Sequence, residues 1–144
     1  MNSQTPYTVE LSEDGYIHLH YFKVDNSKLE NVAMSKNIMK EIFALLDENK
    51  EVHFQLLVEY EKNVLEEMAA ETKEIYTKIA SNKQISSIAL LGIEEVHKQQ
   101  IELLFEMLKI TKKITFFQNK KEALLWLKVR KKKCEHKLLT QFHT

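Results

Sequence analysis

His18 and His20 stand two residues apart in the run Tyr16-Ile17-His18-Leu19-His20-Tyr21-Phe22. In a strand that spacing puts both imidazoles on one face, a geometry that holds a metal ion when a third ligand converges from elsewhere. Spacing marks no third ligand, so the pair reads as a half-exposed polar strand face and no metal is expected. Glu59 and Glu61 follow an apolar run, at the carboxyl end of a strand, where ligands bind in open parallel sheets. Two carboxylates do acid/base work there when their pKa values are pushed apart. No nucleophile, histidine or oxyanion donor accompanies them by motif, so solvated loop charges are expected. Gly92 closes the next apolar run, and it and Gly15 are the only two glycines in the chain, too far apart for a phosphate-cradling loop. Neither a catalytic residue nor a cofactor is expected.

A second group of residues with chemical potential lies at the far end. Cys134 is the one cysteine, so no internal disulfide can form, which suits a reducing compartment. Lys131, Lys132 and Lys133 beside it can lower a thiol pKa, although an unreactive cysteine is the plainer reading. From Val129 to Phe142 there is neither proline nor glycine, so a helix can run through the whole segment. Cys134, Leu138 and Phe142 then recur every four residues on one face, with Lys131 adjoining. Lys131, Lys132, Lys133, Leu138 and Phe142 are therefore expected to dock on a partner protein or a second copy. The alternative is that the stripe packs on the chain's own domain. Between Lys109 and Lys137 eleven basic residues stand against two acidic ones, whereas between Glu41 and Glu74 ten acidic residues stand against three lysines. The basic segment is steered toward an acidic protein surface such as that around Glu66, Glu67, Glu71 and Glu74. Three apolar side chains insert weakly in lipid, so a membrane surface ranks below a protein.

The elements that must position these residues follow from period and punctuation. Tyr7–Leu11 and Tyr16–Phe22 alternate as strands around Ser12-Glu13-Asp14-Gly15, and an Asp-Gly pair between such runs marks a hairpin. Leu29–Leu46 carries Ile38, Ile42, Leu45 and Leu46 at helical spacing after the capping run Asp25-Asn26-Ser27. Val52–Val58 reads as a central strand. A second helical face runs from Leu65 to Ile79, followed by a strand at Ile85–Ile93 that is apolar on both sides. A third helix has Ile101, Leu104, Phe105 and Leu108 on one stripe, widened by Leu103, Met107 and Ile110. Ile114–Phe117 is the last strand, and Ala123, Leu124, Trp126 and Leu127 begin a fourth helix. Trp126, Tyr76 and Phe105 sit on helical stripes and are expected in the core.

The order β-β-α-β-α-β-α-β-α predicts an α/β domain with a mixed sheet of about five strands, an antiparallel hairpin and then parallel strands, packed with about four helices. Composition agrees: 44% apolar and 29% charged residues in 144 is the make-up of one globular domain. Lysine and arginine balance aspartate and glutamate at 21 each, and no nucleic-acid partner is expected. Met1–Thr8 lacks a charged-then-apolar signal and no window reaches the roughly 20 apolar residues of a membrane span, so the cytoplasm is the expected compartment.

Ile88-Ala89-Leu90-Leu91-Gly92, then a helix, Ile114-Thr115-Phe116-Phe117 and Lys121-Glu122-Ala123-Leu124-Leu125-Trp126-Leu127 resemble the closing half of SpoIIAA-like proteins of the STAS superfamily. The opening hairpin and first helix fit the same resemblance, which covers about residues 7 to 130. It implies a STAS-like domain over residues 1–130 and a basic amphipathic helical extension over 131–144. It also implies a non-enzymatic regulatory or scaffolding module acting by protein–protein contact, possible as a homodimer. Phospho-switched members carry Asp-Ser-Ser-Gly between the central strand and the next helix; Val58-Glu59-Tyr60-Glu61-Lys62-Asn63-Val64-Leu65 stands here, without the acceptor serine. The distant likeness of that branch to SEC14 lipid-binding domains, with Met34, Met39, Met68 and Met107 spread over three helices, implies the alternative of a carrier or sensor of a small apolar ligand.

Overall fold

The computed structural model describes residues 7–22, 28–61 and 70–142, without the side chains of 28–31, 70–72, 96, 100 and 133–142. Five strands and four helices alternate: β1 (Tyr7–Leu11), β2 (Tyr16–Tyr21), α1 (Lys28–Glu48), β3 (Phe54–Tyr60), α2 (Ala70–Ala80), β4 (Ile85–Leu91), α3 (Glu95–Met107), β5 (Ile114–Phe117) and α4 (Lys120–Phe142), with one short 3₁₀ turn at Thr111–Lys113. The sheet order is β1-β2-β3-β4-β5. β1 and β2 pair antiparallel, and every later pair is parallel. This is the α/β mixed sheet that the element order predicts.

Gly15 closes the hairpin at φ +89°, a conformation an L side chain rarely takes, and its N–H donates to the Ser12 carbonyl at 3.1 Å. Each following strand is laid beside its predecessor on the same side. Right-handed crossovers in that order put every connecting helix on one face of the sheet. Ile38, Ile42 and Leu46 of α1, Ile75 and Ile79 of α2 and Ile101 of α3 accordingly share one core with Ile17, Leu19, Leu56, Val58, Ile88 and Leu90. Among the described residues the opposite face has α4 alone, with Ala123 and Leu127 buried on Leu57, Ala89 and Leu91. One helix covers only part of five strands, so among the described residues the β1–β2 side of that face stays open.

β3 starts two residues later than its hydrophobic run suggests. Gln84 explains the delay: its side-chain amide donates to the carbonyls of Leu46, Asn49 and Val52 at 3.0–3.1 Å, tying the end of α1 into a turn. Val52 is thereby held outside the sheet, 46% exposed, and the strand runs on through Glu59 to Tyr60. At β4 the strand ends with Leu91, so Gly92 and Ile93 lie beyond it. Leu103 and Met107, expected to widen the buried stripe of α3, are instead 61% and 76% exposed.

α4 begins with Asn119 Oδ1 accepting from the N–H groups of Lys121 and Glu122, which satisfies donors that the first turn leaves without partners. From the carboxyl end of the strands it crosses the sheet toward the hairpin turn, where Lys131 Nζ donates to the Asp14 carbonyl at 2.8 Å. Trp126 is half-buried at the margin rather than in the core, packed on Phe117 and beneath Arg130. Tyr76 and Phe105 are likewise half-buried against the larger core. The helix continues without a break to Phe142, eleven residues beyond Lys131, or about 16 Å at 1.5 Å per residue. No helix among the described residues is long and apolar enough to cross a membrane.

Candidate functional site

The open part of the α4 face carries the chemistry. Alternation along β2 sends Ile17, Leu19 and Tyr21 into the large core and leaves Tyr16, His18 and His20 on the other side. Their rings form a ladder with Phe22: His18 and His20 stack with centroids 5.5 Å apart, and His20 and Phe22 lie 4.3 Å apart. On β3 the same alternation puts Gln55, Leu57 and Glu59 on this side. The parallel register makes Glu59 the direct partner of His20 and the diagonal neighbour of His18.

His18 Nε2 lies 2.9 Å from Glu59 Oε1, and His20 Nε2 lies 3.9 Å from Glu59 Oε2. The first residue of α4 completes the group, with Lys120 Nζ 3.4 Å from Glu59 Oε1. His18, His20 and Glu59 keep only 20–22% of their side-chain surface exposed. Burial lowers the His18 pKa below the ordinary imidazole value, partly opposed by the hydrogen bond to Glu59 and its charge. Burial alone would raise the Glu59 pKa, but His20, the His18 hydrogen bond and Lys120 outweigh it and hold the carboxyl below its usual value. At neutral pH the cluster is therefore a carboxylate facing a neutral His18 imidazole and a lysine ammonium.

Glu59 is not a solvated loop charge, as the sequence suggests; it is a strand residue with two histidines on it. The expectation placed the strand end at Val58, and the shift of β3 by two residues is what changes the environment. Glu61 lies just past the strand, its N–H donating to the Tyr21 carbonyl at 3.2 Å and its side chain exposed. Gly92 lies on the far side of Tyr60, packed against the Tyr60 carbonyl, with its N–H donating to Phe117 at 3.1 Å. Its place in the fold is accounted for by backbone packing.

At the other end of the same face, Lys128, Lys131 and Lys132 rim an open cleft of about 500 Å³ between α4 and the hairpin, floored by Tyr16, Gln55 and Leu127. Gln55 is buried there, its amide donating to the Leu127 carbonyl at 2.6 Å. Two of the tail residues expected to bind a partner, Lys131 and Lys132, thus sit on this cleft. Lys133, Leu138 and Phe142 lie outside the described side chains. Leu125 and Val129, which the sequence did not single out, are 63% and 44% exposed on the outer side of α4. The described methionines do not converge on a cavity: Met34 and Met39 pack on the large core and Met107 is exposed. No protein-family model, curated protein or solved structure matches the chain.

Proposed function

We propose that this chain is a non-enzymatic regulatory or scaffolding module of the SpoIIAA-like kind that works by contact with another protein, and that the outer face of α4 is its contact surface. The observation that carries the reading is the exposure of Leu125 and Val129 one helical turn apart on α4, with Leu125 at the edge of the cleft. Lys121, Lys128 and Lys132 are exposed around them, Lys128 and Lys132 also rimming the cleft between α4 and the hairpin. A small apolar centre with a mainly basic rim, interrupted by the exposed Glu122 one turn before Leu125, is the make-up of a protein-recognition patch. The hairpin-then-parallel sheet with three helices on one face and one on the other suits the resemblance to SpoIIAA-like proteins.

The partner in this reading is a different protein with an acidic rim. Glu41, Asp47 and Glu48 of α1 and Glu74 of α2 are exposed, and their helices pack on the opposite face of the sheet from α4. Two copies meeting through α4 would set lysine against lysine, and a head-to-tail pairing of basic on acidic face would not close on itself.

Photo-crosslinking tests this. With p-benzoylphenylalanine in place of Leu125, native cells should yield one adduct of defined mass. The adduct should be absent when the probe replaces Lys36 on α1, and lost when Lys128→Glu and Lys132→Glu are added. No adduct at Leu125, or one indifferent to the charge reversal, would contradict the proposal. An adduct of twice the chain mass would replace the foreign partner with a second copy.

A further inference from the structure

We propose that His18, His20 and Glu59 form a binding site for a first-row transition-metal dication, zinc foremost, on the open face of the sheet. The inference is independent of the α4 contact. One ligand atom from each residue lies within 4.8 Å of those of the other two. A tetrahedral zinc ion with bonds of about 2.0–2.1 Å holds its ligand atoms about 3.3 Å apart. His18 Nε2 stands 2.9 Å from Glu59 Oε1 and His20 Nε2 3.9 Å from Glu59 Oε2, so each imidazole has its own carboxylate oxygen near that spacing.

The backbone also holds the ligands well. Two come from alternate residues of β2 and one from the paired position of β3, both strands lying inside a five-stranded sheet. His18 stacks on His20, and His20 lies against Phe22 with the rings tilted by 32°, which restricts the ring orientations. Two imidazoles and one carboxylate match zinc, and also cobalt, nickel and copper, whereas magnesium and calcium call for oxygen ligands throughout. Glu10, the cross-strand partner of His18 on β1, shares this face and adds negative charge. Three protein ligands leave a fourth position toward solvent, the pattern of an open rather than a closed site. Lys120 is the ion's competitor: its ammonium lies 3.4 Å from Glu59 Oε1 and is half exposed, so it can swing into water when a dication takes its place.

The test is calorimetric titration of the untagged full chain with zinc chloride at neutral pH. One equivalent should bind. His18→Ala, His20→Ala and Glu59→Gln should each weaken binding by at least about 100-fold, since outer-shell changes alone cost 10- to 100-fold. Lys120→Met should tighten binding several-fold by removing the competing cation, while His53→Ala and His97→Ala should leave it unchanged. Histidine ring NMR of the wild type provides a readout that needs no variant: the Nε2 signals of His18 and His20 should shift with zinc and those of His53 and His97 should not. Absence of binding by the wild type, binding that survives Glu59→Gln or is weakened by Lys120→Met, or zinc shifts confined to His53 or His97, would overturn the site.

Discussion

Gly92→Ala is expected to destabilise the protein by roughly 3–5 kcal/mol, combining a left-handed backbone with an unrelievable overlap. Gly92 sits at φ +89°, and a Cβ built there would run into the carbonyl oxygen of Tyr60. That oxygen belongs to the end of β3, paired on one side with β2 and on the other with β4, so it has no room to retreat. The N–H of Gly92 also bonds the end of β5, so a shift there loosens three strands at once. Gly15 supplies the comparison. It has the same φ, but its added Cβ would meet only the end of the Lys131 side chain, at 2.9 Å, which can move aside. Gly15→Ala should therefore cost only about 1–3 kcal/mol, the backbone contribution alone. Urea unfolding of the two variants measures the difference, and a Gly92→Ala cost no larger than that of Gly15→Ala would refute the close-packing explanation.

Raising the pH above 10 is expected to unfold the protein steeply, because three tyrosine hydroxyls are held inside it. Tyr21 and Tyr60 stack with ring centroids 4.8 Å apart, Tyr21 and Tyr76 join hydroxyl to hydroxyl, and Ser35 Oγ donates to the Tyr76 hydroxyl at 3.4 Å. Tyr60 and Tyr76 are half-buried as whole residues, but protein surrounds their hydroxyls. Burial raises all three above the ordinary value of 10.0. Unfolded tyrosines lose their protons near that pH while the folded ones keep theirs, so the unfolded chain binds fewer protons and stability falls as pH rises. The slope is about 1.4 kcal/mol per pH unit for each tyrosine, hence about 4 for these three, and Tyr7, which burial raises to about 12, adds to it up to that pH. Lys113, whose pKa burial lowers while it donates to the Ala80 and Asn82 carbonyls, works in the opposite direction as a single group. Urea midpoints measured from neutral to strongly alkaline pH should show this fall, and Tyr21→Phe should make it shallower by about one quarter to one third. An alkaline limb equally steep in Tyr21→Phe would mean that its hydroxyl is not the group titrating.

The fold was legible because its signals are local. The Asp14-Gly15 turn, the alternation around it and the short apolar run at Ile114–Phe117 fixed two strand ends and a whole strand to the residue. The absence of proline and glycine from Val129 to Phe142 likewise foretold that the fourth helix runs on without a break. The site was half legible. The two-residue spacing of His18 and His20 marked a shared face, but their third group comes from a strand 39 residues on from His20, through a register that no local pattern states. Hydrophobicity also ended that strand too soon. Glu59 continues it because Gln84 holds Val52 out of the sheet and because a carboxylate facing histidines and Lys120 tolerates a strand position that a bare one would not. Leu103 and Met107 failed in the other direction: helical spacing gave them a face, and only the position of α3 at the side of the large core decides that this face has no neighbour among the described residues.

Gel filtration of a fresh native extract, comparing the wild-type chain with Lys128→Glu/Lys132→Glu, asks whether this protein works through the outer face of α4. Wild type should elute at low salt in a complex well above the 17.0 kDa of the free chain, and the charge-reversed protein should elute alone. Both eluting at the free-chain position, or both in the same larger complex, would contradict the account.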